Sequence, residues 1–195
     1  MSFSDSQHDS MEVELSSVQA LNFNPFHPNF PYQPGCVVVR SQDGLLFGLD
    51  VDRLWAASGQ KSFNTTCSIL PGVADAPYPS HILARLFMCL CPKPFPSFED
   101  MDVDELVLFG KAAAAFRIHS AIALDIAHFR RHVHKHPKVI LSFAVQYGYD
   151  SLIKAVAATD FVRAPLSEVA QILPDSLFRT WCLHRDSLAS NSIQH

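Results

Sequence analysis

Apolar positions change their period near residue 80. Before it they come in short clusters divided by turn residues; from Ile82 onward they recur three and four residues apart. Val37-Val38-Val39 is a β-branched run, Asp43-Gly44 supplies a turn, and Leu45-Leu46-Phe47 is apolar again, which predicts a short hairpin. Asp50 stands where it caps a helix beginning near Val51 and carrying Leu54, Trp55 and Ser58, with Gly59 to end it. Thr66 to Leu70 reads as another strand, closed by Pro71-Gly72. Ile82, Leu83, Leu86, Phe87 and Leu90 then mark one helix face, and Pro92, Pro94 and Pro96 stop that helix.

The rest of the chain predicts helix after helix. Asp102 caps a pattern through Val103, Leu106, Val107, Phe109, Ala113 and Phe116; Ile118, Ile122, Ile126, Phe129 and Val133 form the next stripe, ending in Arg130-Arg131-His132. Arg85, Lys111 and Asp125 interrupt the apolar stretches as polar positions of amphipathic helices do. Pro137 opens a pattern through Val139, Ile140, Phe143, Ala144 and Tyr147, with Gly148 as its stop, and Tyr149, Leu152, Ile153 and Val156 follow. Pro165 and Pro174 fall at first-turn positions of two last helices, the second bearing Leu177, Phe178 and Trp181. The fold class expected is α+β and mostly helical. Residues 1–34 are a disordered or extended tail, 35–134 one α+β domain, 135–189 a helical extension and 190–195 a short tail.

Composition narrows the function more than it specifies it. A chain of 195 residues that is 48% hydrophobic can bury one sizeable core. A net charge of −4 calls for neither nucleic acid nor an anionic membrane as the main partner. The polar, acidic stretch Met1 to Glu14 resembles neither a secretory signal nor a transit peptide, and no run reaches the ~18 apolar residues of a membrane span. Five cysteines spread through apolar sequence read as reduced and buried, which points to the cytoplasm or the nucleus. The run Asn24-Pro25-Phe26-His27-Pro28-Asn29-Phe30-Pro31-Tyr32 excludes helix, and its aromatics are expected to dock on the chain's own domain.

Reactive constellations are sparse: there is no Gly-x-Ser-x-Gly elbow and no phosphate-cradling glycine loop, so no enzyme and no cofactor are expected. Asp100, Asp102, Asp104 and Glu105 cluster, but capping and the helix dipole account for carboxylates at a helix start. His128 and His132 share a helical face, and Cys89 with Cys91 sits at a helix end; neither set offers four convergent ligands, so no metal is expected. The segment from Arg117 to Lys138 is the main basic patch, and it keeps open a nucleic-acid-binding or metal-dependent regulatory role.

The order strand, Asp-Gly turn, strand, helix, strand, then a helix closed by Cys-Pro and two more helices is similar to that of the BTB/POZ fold. Val39-Arg40-Ser41-Gln42-Asp43-Gly44-Leu45-Leu46-Phe47 resembles the hairpin of the small BTB-domain proteins abundant in fungi. Ile82-Leu83-Ala84-Arg85-Leu86-Phe87-Met88-Cys89-Leu90-Cys91-Pro92 looks like that family's third helix, and Asp104 to Ala113 like its next one. Leu49-Asp50-Val51-Asp52-Arg53 departs from the family's Val-His-Arg type sequence, so Asp50 keeps a capping role without the imidazole. The resemblance implies a scaffold or adaptor that binds proteins and pairs with itself. The interface it implies comprises Cys36, Val37, Leu54 and Trp55, since two large apolar residues on a short helix exceed what a small hairpin covers. In many relatives the partner is a cullin ubiquitin-ligase scaffold, yet Ser62-Phe63-Asn64-Thr65 lacks the hydrophobic-x-acidic pattern of such adaptors.

Overall fold

The structure is a computed structural model, and it describes residues 25–59, 73–91 and 96–191. The expected strand at Thr66 to Leu70, the Ser62 to Thr65 loop, Cys67 and the stop at Pro92 and Pro94 lie outside the described residues. The chain is α+β and mostly helical, and divides into two compact units. The first comprises residues 1–97 and 111–121, the second residues 98–110 and 122–195.

The first unit holds a three-stranded sheet of β1 (Val37–Arg40), β2 (Leu46–Leu49) and β3 (Val73–Asp75) in the order β2-β1-β3. β1 and β2 form the expected antiparallel hairpin, with Val39 opposite Phe47. β3 joins the other side of β1 in parallel, with Val39 opposite Ala74. Helix α1 (Val51–Ser58) starts as its sequence dictates: the Asp50 carboxylate accepts the backbone N–H groups of Asp52 at 2.9 Å and Arg53 at 3.2 Å. Gly59, in the left-handed region at φ 67°, ends it.

Helix α2 (Ser80–Met88) has no capping side chain of its own, because Pro79 precedes it. The carboxylate of Asp43 in the hairpin turn fills that role, accepting the Ser80 backbone N–H at 3.0 Å and its hydroxyl. One turn residue thus ties the hairpin to a helix 37 positions away. Ile82, Leu83, Leu86 and Phe87 are fully buried, as their spacing requires.

Helix α3 (Val103–Phe116) begins with the Asp102 carboxylate accepting the Glu105 N–H at 2.8 Å, and helix α4 (His119–His132) follows after a tight corner. At that corner Arg117 sits at φ 54°, a conformation that glycine adopts far more readily. Its N–H reaches the Ala114 carbonyl at 3.2 Å and the Ile118 N–H reaches that of Ala113 at 3.0 Å, the paired bonds of a Schellman turn.

The second unit continues with α5 (Pro137–Tyr147), α6 (Asp150–Ala157), a 3-10 turn at Asp160–Arg163, α7 (Leu166–Val169) and α8 (Asp175–Asn191). Gly148 closes α5 with the same paired bonds, its φ of 70° imposing no Cβ strain. Pro165 and Pro174 stand immediately before α7 and α8 rather than inside their first turns. Trp181 is buried against Phe161, with ring centroids 6.3 Å apart.

The buried face of α4 corrects the expected stripe. Ile122 and Ile126 are partly exposed, and the buried positions are Ile118, Ala121, Asp125, Phe129 and Val133. A carboxyl group expected on the polar side is therefore at the core of its helix.

Candidate interaction surfaces

Two regions carry the residues singled out by the sequence. In the first unit, the segment Pro25 to Pro34 lies along the outer edge of β2. Leu46 donates to the Pro25 carbonyl at 2.8 Å, His27 donates to that of Leu46 at 2.8 Å, and Gly48 donates to that of Phe30 at 2.9 Å. Gly48 permits this approach, because a Cβ there would collide with the Pro31 carbonyl. Phe26 and Phe30 are buried, so the aromatics dock on their own chain. His27 stacks on Phe47 with centroids 5.1 Å apart, and Phe30, Phe47, Phe87 and Phe116 continue the aromatic cluster. Burial keeps the His27 imidazole below its ordinary pKa, so it packs neutral at physiological pH.

This strap covers the backbone of one sheet edge, which would otherwise be open to strand addition. The expected interface residues lie elsewhere in the same unit. Cys36 and Val37, at the start of β1, are half-buried, and so is Trp55 on the first helix. Leu54 is different: at 1% exposure it belongs to the core of the unit and has no surface to offer a partner. Position on a short helix made it a candidate, but the burying neighbours come from tertiary packing. Of the four expected residues, Cys36, Val37 and Trp55 are the ones left partly exposed.

In the second unit, the corner between α4 and α5 gathers Arg130, Arg131, Lys135 and Lys138 with His134 and His136, all exposed. Lys138 is committed to Glu168 at 2.9 Å. His128 packs on Phe98 with centroids 4.8 Å apart; burial, reinforced by Arg131 and His132, lowers its pKa and keeps it neutral. The His132 and His136 rings lie 6.4 Å apart, and among the described residues no three His, Cys, Asp or Glu side chains converge as metal ligands. Arg117, grouped with this segment in the sequence, belongs to the first unit.

Cys89 is buried, its thiol directed at the Arg85 carbonyl at 3.5 Å, and burial with the neighbouring Cys91 pushes its pKa up to about 12. It holds its proton as a packing group rather than acting as a thiolate. Asp102 and Glu105 are joined by the cap already described, and Asp102 and Asp104 are exposed. Sequence reasoning passed over Leu183, a leucine 65% exposed on α8, and above all Asp125. The spacing Ile118, Ala121, Asp125, Phe129 is the signal that could have found the latter.

No protein-family model matches the chain, and no curated protein matches it either. No described helix is long and apolar enough to cross a membrane.

Proposed function

We propose that the chain is a BTB/POZ-like, non-enzymatic module that binds proteins, pairs with a second copy of itself and acts as a scaffold or adaptor in the cytoplasm or nucleus. The observation that carries this reading is the element order: hairpin with an Asp-Gly turn, capped helix, a strand returning parallel to the first, then α2, α3 and α4. The pairing surface comprises Trp55 with Cys36 and Val37, half-buried in the single chain and placed at the start of β1 and on the first helix. Binding of a cullin scaffold is a narrower version, with the Ser62 to Thr65 loop outside the described residues. A second reading, a nucleic-acid-binding or metal-dependent regulatory protein, would rest on the basic corner, where Arg130, Arg131 and Lys135 are exposed and Lys138 is paired with Glu168.

Light scattering on the full chain tests the pairing. The wild-type protein is expected at twice the chain mass at micromolar concentration. Trp55→Glu places two like charges across a twofold axis and should give a single-chain mass with its helical circular dichroism intact. A wild-type mass of one chain refutes self-association, and a folded, still dimeric Trp55→Glu refutes this surface.

A further inference from the structure

Asp125 lies in the middle of α4 at 1% exposure, and its Oδ1 has no hydrogen-bond partner. Space for it is made by Gly110 of α3: a Cβ at that position would overlap the Asp125 carboxyl and meet the Phe143 ring of α5. A mid-helix glycine costs about 1 kcal/mol of helix propensity relative to alanine, so the carboxyl occupies a site that the fold accommodates at some expense.

The groups around it offer no countercharge. α3 presents Gly110 and α5 presents Phe143, neither ionisable. Beyond α5 stands Tyr149, whose phenol is pushed up by burial, by the Asp125 charge and by Tyr147, whose ring is 6.0 Å away. On α4 itself, burial first and then Arg131 and His132 lower the pKa of His128, against Glu99, so this imidazole supplies no countercharge at neutral pH. No cation among the described residues acts on the carboxyl.

We propose that Asp125, enclosed between Gly110 and Phe143 without a partner for Oδ1, is a pH-sensitive element of the second unit: it packs as the neutral acid, and its ionisation loosens the helices around it. A buried carboxylate with neither cation nor donor is too costly to keep, so the fold holds the proton or opens. Burial pushes the pKa of Asp125 up to about 8 from an ordinary 3.8. Between those values the folded chain holds one proton more than the unfolded chain, so stability falls as pH rises. The contribution is fully present below the unfolded value and lost as pH passes through the folded one.

The test compares urea unfolding of the full chain with Asp125→Asn, which keeps the shape but cannot ionise. As pH rises from 5 to 7, the folding equilibrium constant of the wild type should fall relative to the variant by about tenfold per pH unit, and the fall should level off as pH passes about 8. Parallel profiles overturn the proposal. Should Asp125→Asn fail to fold, carboxyl-carbon NMR of the wild-type protein decides: one aspartic acid is expected still protonated at neutral pH, and titration of every aspartate near pH 4 overturns it.

Discussion

Asp43 shows how one side chain acquires a second role through folding. Its turn function follows from Asp-Gly, while its capping of α2 arises because Ser80 is brought to it. Burial opposes ionisation of this carboxyl, but its hydrogen bonds, those from Ser80 among them, outweigh that and hold its pKa below the ordinary value. The stability it contributes is therefore present above pH ~4 and lost as pH falls through the lowered pKa. Asp43→Ala should cost about 0.5–2 kcal/mol, the range for losing a helix cap, read as a shift in denaturant midpoint at pH 7. Its difference from wild type should shrink in acid, and an acid-independent difference would show that the carboxylate is not the cap. At Gly110 the balance of two effects is on trial. Alanine there gains about 1 kcal/mol of helix propensity, yet overpacking against Asp125 and Phe143 costs about 1–3 kcal/mol, so Gly110→Ala is expected to destabilise.

Among the elements, α2 followed its sequence most closely. Apolar spacing selects Ile82, Leu83, Leu86, Phe87 and Leu90; the first four are fully buried, while Leu90, past the end of the helix, is half-buried. Leu86→Ala should lower stability by about 2–5 kcal/mol because truncation leaves a cavity; an unmoved denaturant midpoint would remove this helix from the core. Helix α4 followed it least, since Ile122 and Ile126 suggested a face one step around from the one that is buried. A heptad-like run of isoleucines marks which residues are apolar, but the facing elements choose the face. The corner at Arg117 makes the same point: no turn residue announces it, and the side chain tolerates φ 54° because the Ala113 and Ala114 carbonyls fix the turn.

Across the whole molecule, contacts distant in sequence do the joining. The strap Pro25 to Pro34 is held to β2 by three backbone hydrogen bonds and by Phe26 and Phe30. Phe30→Ala should therefore cost about 3–5 kcal/mol, whereas Tyr32→Ala, at 42% exposure, should cost far less. Equal melting temperatures for these two variants would mean that the strap adds nothing to stability.

By itself, the sequence determined what depends on neighbours along the chain: the caps at Asp50 and Asp102, the stop at Gly148, the Asp-Gly hairpin and the α+β class. These rest on backbone conformations and hydrogen bonds spanning a few residues, which residue type encodes directly. The pairing of β3 with β1, the closing of Leu54 into the core, the seating of the strap on β2 and the burial of Asp125 opposite Gly110 were decided by tertiary structure alone. Each brings together groups far apart in the chain, and for Asp125 it is the void left by a missing Cβ on another helix, not any property of its own neighbours, that places a carboxyl inside.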